Sequence, residues 1–150
     1  MPSSWTQNFY HAVFSTKNRV EAITPEIEER LYPFLGGVLK DLRAQPLAIN
    51  GMPDHVHICA RYPSDLSHSD MLKHLKSRSS KWMHRTFPSM CGVSWQDGYG
   101  GFTVSKSKVE DVVAYIRRQK EHHKAQTYID EARELCRLNG IEISDEELFG

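Results

Sequence analysis

The chain has 150 residues, of which 39% are hydrophobic, and this size and composition predict a single globular domain with its own core. No stretch approaches the roughly 18 consecutive apolar residues of a membrane span. The chain also lacks a basic start followed by an apolar core, so neither a membrane segment nor a secretory signal is expected. The three cysteines are odd in number and widely spaced, which argues against a disulfide framework and favours a reducing, cytoplasmic location.

The formal net charge is zero, but the charges are distributed unevenly. Residues 1–126 contain 17 lysines and arginines against 12 acidic residues, whereas residues 127–150 contain 2 against 7. We therefore expect one domain over residues 1–140, followed by an acidic C-terminal tail at 141–150. Positive charge is densest in one basic segment, which contains Lys73, Lys76, Arg78, Lys81 and Arg85. This basic segment could bind phosphates, or it could form a solvated helix face.

A strand and a helix are predicted for the first third of the chain. Residues 8–16 are rich in aromatic and β-branched side chains, which favour strands. Thr24 and Pro25 then have the features of a helix start, and apolar residues recur at helical spacing as far as Leu42. Pro33 lies within this pattern, so we expect the helix to be kinked or broken there.

Two short strands and a second helix follow. The apolar segment 46–50 predicts a strand, and Asn50-Gly51 is typical of a tight turn that would lead into another strand at 55–62. Residues 65–86 predict a helix with one apolar face and the basic segment on the other side.

The remaining elements complete a mixed pattern of helices and strands. Residues 92–105 combine aromatic residues with glycines and predict a bent or bulged strand. Residues 108–124 predict a helix, and a shorter helix should end near Asn139-Gly140. The order of elements predicts an α+β fold, namely a ferredoxin-like (RRM-like) split βαβ antiparallel sheet with helices on one face.

Two histidines share one face of the strand at 55–62. Side chains alternate across a strand, so His55 and His57 point the same way, while Val56 and Ile58 point to the helix-covered core. Neutral imidazole is a common metal ligand, and this spacing lets both rings reach one cation. The same pattern also occurs by chance in strands, so on its own it leaves a structural role open.

The helix predicted from residue 108 carries a polar stripe beside its apolar side. Ser107 and Glu110 fit a capping box, which predicts where the helix starts. Each residue of a helix is rotated by ~100° from the one before it. This rotation places Val109, Val112, Val113 and Ile116 in one complete apolar arc. A separate stripe beside that arc is formed by Tyr115, Gln119 and His122.

The stripe and the histidine pair together suggest a reaction. Tyr115 is a candidate nucleophile for a phosphodiester. A divalent cation on His55 and His57 would polarise a non-bridging phosphate oxygen, and the Gln119 carbonyl could complete its ligand set. Attack would leave a phosphotyrosine, which conserves the bond energy for rejoining.

These residues resemble a known family. His55-Val56-His57, followed by a helix in which Tyr115 and Gln119 form a Tyr-x-x-x-Gln pattern, is similar to the HUH single-tyrosine transposases. These are the small transposases of a group of bacterial insertion sequences, together with the REP-associated tyrosine transposases. The resemblance covers residues 5–140, and four segments resemble the family in its order: 10–19, 51–58, 95–105 and 115–123.

The resemblance implies metal-dependent cleavage and rejoining of single-stranded DNA at hairpin-flanked sites, with Tyr115 forming a 5′-phosphotyrosine bond. It assigns His55, His57 and Gln119 to a cation, Mg²⁺ or Mn²⁺. His122 is a further candidate site residue, whereas His11 receives no role. The resemblance also implies a homodimer in which the site can be shared in trans. Recognition of hairpin DNA would suit phosphate contacts from the basic segment: Lys73, Lys76, Arg78, Lys81 and Arg85.

Three alternatives remain open at this point. The first is a module that binds single-stranded nucleic acid without cutting it, which gives no reason for the histidine pair. The second is a zinc hydrolase that uses His55, His57 and a third histidine. It needs a carboxylate base, but Asp54 precedes the strand and Glu121 lies off the polar stripe. The third is a domesticated, non-mobile relative that retains nicking chemistry.

Overall fold

The computed structural model describes residues 4–122 and 126–149, apart from the side chains of His122 and Phe149. In this part of the chain no helix has the length and apolar character needed to cross a membrane. The elements follow one another as β1 (Asn8–Ser15), α1 (Pro25–Asp41), β2 (Gln45–Met52), β3 (His55–Tyr62), α2 (His68–Thr86), β4 (Gly100–Val104), α3 (Val109–Arg117), α4 (Gln119–His122), α5 (Tyr128–Leu138) and α6 (Asp145–Phe149).

The strands form one antiparallel sheet in the order β2-β3-β1-β4, so that the first and third strands of the sequence are central. α1 connects β1 to β2, and α2 connects β3 to β4, which gives two split βαβ units side by side. The predicted α+β architecture with a ferredoxin-like antiparallel sheet is confirmed.

α1 and α2 cover one face of the sheet. Ala12 and Phe14 of β1, and Val56 and Ile58 of β3, are all 0% exposed and belong to the main core beneath these helices. The prediction that Val56 and Ile58 face a helix-covered core is therefore confirmed. It follows that the alternate residues of the same strands point to the other face, where His55 and His57 lie.

α3 and α5 cover that opposite face. Ile116 of α3 is completely buried against Ala48 and Cys59, while Tyr128 of α5 belongs to a separate apolar cluster with Val13. Helices thus lie on both faces, and the expectation of helices on one face only is wrong. The second layer forms because α3 and α5 each carry an apolar stripe that is buried on this side of the sheet.

The first helix is not broken at Pro33, so a break there, one of the two predicted outcomes, is wrong. α1 continues through Pro33, whose side chain is exposed. Leu31 and Leu35 on either side of it are completely buried. Their packing holds the helix together despite the missing backbone donor.

The turn between the second and third strands also lies later than predicted. β2 runs past Asn50-Gly51 to Met52, because Gly51 pairs with Val56 instead of forming the turn. The chain reverses at Pro53 and Asp54. This shift places Asp54 directly beside the first histidine of β3.

The strand predicted at 92–105 is much shorter in the structure. Only Gly100–Val104 pairs with β1, and the chain before it is a loop whose Trp95 forms a single bridge with Thr16. The glycines at 98, 100 and 101 indicated a bend, and the bend takes the form of this loop.

The helix predicted at 108–124 is divided in two. It breaks at Arg118, where α3 ends and the short α4 begins. The predicted capping box is also wrong, because α3 begins at Val109 with Lys108 as its N-cap and no side-chain cap bond. Ser107 instead lies in a 3-10 turn just before the helix.

Candidate metal and tyrosine site

His55 and His57 lie on the α3/α5 side of β3 with one residue between them, and both are 0% exposed. Their positions follow directly from strand alternation, since Val56 between them belongs to the opposite core. The ring centroids are 5.2 Å apart. The predicted pairing of the two imidazoles on one face is therefore present, but in a closed interior and not on an open surface.

Glu131 of α5 brings a carboxylate to the two imidazoles. Its Oε1 lies 2.9 Å from Nε2 of His57 and 3.3 Å from Nε2 of His55, and the side chain is 1% exposed. These three ligand atoms lie within 4.8 Å of one another. The sequence interpretation missed Glu131 and found no well-placed carboxylate. A signal was available, because Glu131 lies within the buried stripe of α5 beside Tyr128 and Ala132.

A second layer of side chains orients the two imidazoles. Nδ1 of His55 donates to Oδ1 of Asp54 at 2.6 Å, and Nδ1 of His57 lies 2.8 Å from Nε2 of His11. Burial by itself lowers the pKa of His55, but the bonds to Asp54 and Glu131 outweigh it, so the pKa is raised. Burial, reinforced by His57, lowers the pKa of His11 to about 3. His11, which received no role from the sequence, is thus a neutral partner of His57.

Tyr115 and Gln119 reach the same carboxylate from the other side. The Tyr115 hydroxyl donates to Oε2 of Glu131, and Nε2 of Gln119 donates to the same oxygen at 2.8 Å. Oε1 of Gln119 lies 3.2 Å from Nε2 of His55. Burial, together with the bond to Glu131, raises the pKa of Tyr115. Four of the sequence-predicted site residues therefore meet around Glu131: His55, His57, Tyr115 and Gln119.

The helix that carries Tyr115 is fixed to the sheet of its own chain. Nδ2 of Asn50 donates to the carbonyls of Ile116 and Arg117 at 3.0 and 3.2 Å, which caps the end of α3. Just beyond α3, Nζ of Lys120 in α4 donates to the backbone carbonyl of Gly51 in β2. Tyr115 of α3 and the two histidines of β3 therefore lie together within the chain that the structure describes.

The donor set suits a divalent cation. Two imidazole nitrogens and one carboxylate oxygen converge in a closed site, and the amide oxygen of Gln119 borders it. Asp54 accepts from Nδ1 of His55, which leaves Nε2 of that ring for a metal. His122 is at the end of α4, but its side chain and all of His123 lie outside the described residues.

The basic segment of α2 separates into residues with different surroundings. Nζ of Lys76 donates to the carbonyls of Gln96, Asp97 and Gly98, and burial lowers the pKa of Lys76 to about 8. Arg78 lies 3.6 Å from the carboxylate of Asp41. The remaining members are exposed on the helix surface: Lys73, Lys81 and Arg85.

Comparisons with known proteins agree with this architecture. Residues 4–119 match the sequence model of the family described as IS200-like transposases. The ISDra2 transposase TnpA of Deinococcus radiodurans is 25% identical over 117 residues, covering 75% of this chain and 84% of that protein.

Two solved structures have a similar fold. One is a crystal structure from Deinococcus radiodurans R1, of a protein assigned as a transposase, with a TM-score of 0.67 and 25% identity over 79% of this chain and 95% of that one. The other is a REP-associated tyrosine transposase bound to a REP hairpin, with a TM-score of 0.61 and 17% identity over 82% of this chain and 73% of that one.

Proposed function

The chain belongs to the IS200-like transposase family, and we propose that it cleaves and rejoins single-stranded DNA through a covalent bond to Tyr115. The observation that carries this proposal is the shared carboxylate of Glu131, which bonds the Tyr115 hydroxyl through one oxygen and the imidazole of His57 through the other. A tyrosine placed this way lies beside a group of cation ligands, as a phosphodiester reaction requires.

In the proposed reaction the Tyr115 oxygen attacks the phosphorus of a DNA phosphodiester. A bond forms between the tyrosine oxygen and phosphorus, and the bond from phosphorus to the 3′ oxygen breaks. The 3′ oxygen leaves as a 3′ hydroxyl by taking up one proton, which balances the proton that Tyr115 gives up. The DNA then remains attached through a 5′-phosphotyrosine. Because the pKa of Tyr115 is raised, its proton must be taken up during attack, and Oε2 of Glu131 is the bonded acceptor. Rejoining is the same exchange in reverse.

We propose His55, His57 and Glu131 as the protein ligands of a divalent cation, with the Gln119 carbonyl as a further donor. When bound there, the cation would polarise a non-bridging phosphate oxygen and neutralise charge in the transition state. The carboxylate of Glu131 and the carbonyl of Gln119 are oxygen donors of the kind that suits both expected metals, Mg²⁺ and Mn²⁺.

The substrate we propose is single-stranded DNA beside a hairpin. A neighbour in fold is described as bound to a REP hairpin, and the exposed lysines and arginine of α2 supply positive charge for phosphate contacts. A homodimer remains part of the proposal, although the tyrosine helix of one chain already meets its own histidines.

The experiment that tests this function uses hairpins made from imperfect palindromes that flank the gene. Incubation with Mn²⁺ or Mg²⁺ should yield a protein–DNA adduct that survives SDS, and Tyr115→Phe should abolish the adduct while DNA binding survives. Tyr10→Phe, at a tyrosine on the other face of the sheet, is the matched control. An adduct that persists in Tyr115→Phe, or cleavage that is indifferent to a chelator, would contradict the proposal. Binding without any adduct would instead favour a non-catalytic module.

A further inference from the structure

Two concave surfaces meet at the loop formed by residues 94–99, which precedes β4. On one side is a groove of about 470 Å³ between this loop and α2. On the other side is a pocket of about 360 Å³ between the loop, β4, α5 and the segment that leads into α6. Tyr99, which is 39% exposed, lines both surfaces. The loop is therefore a partition between two sites of different chemistry.

The groove along α2 is lined by serine and lysine side chains, which can donate hydrogen bonds. Successive turns of the helix present Ser69, Lys73, Ser77 and Ser80 to it. The hydroxyl of serine and the ammonium group of lysine commonly contact the phosphates and sugars of nucleic acids, and such contacts do not depend on the base sequence. The one carboxylate lining the groove, that of Asp97, lies 4.0 Å from Nζ of Lys17. The chemistry of the groove therefore suits the backbone of a DNA stem.

The pocket on the other side of the loop is lined mainly by aromatic and apolar side chains, together with the amide of Gln96 and the carboxylate of Glu147, and lies next to the candidate active site. Its lining includes Tyr99, Phe102, Tyr128 and Leu148. The ring of Tyr128 is 4.6 Å from that of His55, centroid to centroid. Aromatic side chains stack on unpaired nucleobases without needing a particular sequence. Tyr128 thus lies between the pocket and His55.

The loop between the two surfaces is firmly held. The three carbonyl bonds from Lys76 fix residues 96–98. Oε1 of Gln96 accepts from the backbone N of Ser15 at 2.8 Å and from the Tyr128 hydroxyl at 3.1 Å. Lys76 is therefore a positioning residue for the loop.

We propose that residues 94–99 form a wedge that separates the paired stem of a DNA hairpin, held in the α2 groove, from the first unpaired nucleobase, held in the aromatic pocket beside His55. This inference rests on the proposed function, because it assumes that hairpin DNA is the substrate. It assigns the stem to the side of α2 that bears Lys73. Arg85 lies about a third of a turn round the helix from Lys73 and outside the groove.

The pocket is tested by fluorescence in a Tyr115→Phe background, where cleavage plays no part. Hairpins from the palindromes beside the gene carry 2-aminopurine at successive positions of the unpaired flank. One position next to the stem should be quenched on binding by stacking, Tyr99→Ala should lose most of that quenching, and Tyr99→Phe should retain it. Cys136→Phe, which fills the pocket from α5, should also remove the quenching while the hairpin stays bound.

The groove is tested by the salt dependence of hairpin affinity. Lys73→Ala should reduce the slope of log K against log salt by about one, whereas the matched variant Lys40→Ala, at an exposed lysine of α1 outside the groove, should leave it unchanged. Quenching that is unaffected by both Tyr99→Ala and Cys136→Phe, or a slope that responds to Lys40 and not to Lys73, would overturn the wedge while leaving the proposed function intact. A parent chain that binds none of these hairpins would overturn both.

Discussion

Tyr115 donates its hydroxyl hydrogen to Oε2 of Glu131, whose other oxygen lies 2.9 Å from Nε2 of His57. The Glu131 side chain is 1% exposed, and burying a carboxylate costs free energy of desolvation unless its oxygens accept hydrogen bonds or pair with positive charge. Here the surrounding donors meet that need, with Nε2 of Gln119 as a third. Glu131 therefore links the candidate nucleophile to the candidate cation ligands, and its replacement should affect both.

Glu131→Gln should weaken the binding of a divalent cation. Loss of a residue that only orients a metal ligand lowers metal affinity by roughly 10–100-fold, and the loss should be larger for Glu131 because it is itself a proposed ligand. The amide keeps the size of the side chain but removes the negative charge that complements the cation. Titration of the purified protein with Mn²⁺ by calorimetry measures the effect. Glu134→Gln, an exposed glutamate one turn away in the same helix, should bind Mn²⁺ like the parent. Equal affinity for the parent and Glu131→Gln would remove Glu131 from the ligand set.

Glu131 also marks the limit of what the sequence could predict about the site. The histidine pair and the relation of Tyr115 to Gln119 are local patterns, set by the two-residue period of a strand and the turn of a helix. Glu131 comes from α5, a separate helix whose position depends on tertiary packing. Its only sequence signal was a charged residue within an apolar stripe, a pattern that indicates a buried carboxylate but not its partners.

His11→Leu should lower Mn²⁺ affinity by about 10–100-fold, because a ligand histidine whose other ring nitrogen loses its partner is less well oriented. The leucine fills the buried space on β1 but cannot bond Nδ1 of His57. Calorimetric titration with Mn²⁺ reads the change. Tyr10→Phe, the neighbouring residue on the opposite face of the same strand, is the control. If His11→Leu and the control bind equally well, His11 does not support the site.

Asn50→Asp should reduce adduct formation by about tenfold or more, because small displacements of a reacting group have large effects on rate. The aspartate lacks the amide donors that Asn50 gives to the carbonyls of Ile116 and Arg117, and its charge repels that end of α3. Mn²⁺ affinity should change little, since Asn50 lies opposite His57 in the β2–β3 pair and the substitution leaves that backbone pairing in place. Asn18→Asp, at an exposed position, is the control. Parallel losses of metal binding and adduct would indicate general unfolding instead.

The sheet was more predictable than the helices that carry the site. β1 and β3 follow from composition and alternation, and their bounds agree with the prediction within about one residue. The break at Arg118 was not predictable from periodicity, because the apolar arc continues up to it. The structure shows Asn50 and Lys120 bonding on either side of this break, and both are tertiary contacts.

His68 should make the folded state sensitive to acid. Burial lowers its pKa from 6.5 to about 4, and both ring nitrogens are buried without a hydrogen-bond partner among the described residues. The unfolded chain takes up a proton at His68 as the pH falls through 6.5, and the folded chain only near 4, so this contribution to stability is lost over that range. His68→Phe keeps an aromatic ring stacked on Tyr10 but removes the titrating group. The free energy of unfolding should therefore fall less between pH 8 and pH 5 in this variant than in the parent. Urea unfolding at pH 8 and pH 5 measures it, and an unchanged pH dependence would contradict the assignment.

The most direct test of the central claim is the position of the covalent bond. Trypsin cleaves after Lys108 and Arg117, so Tyr115 is the only tyrosine in the peptide Val109–Arg117, and Tyr128 lies in a different peptide. After the adduct is formed with Mn²⁺ and the DNA is trimmed with nuclease, mass spectrometry should find a 5′-phosphonucleotide on Val109–Arg117. The mass addition on the peptide that contains Tyr128, or on no tyrosine peptide, would contradict the account.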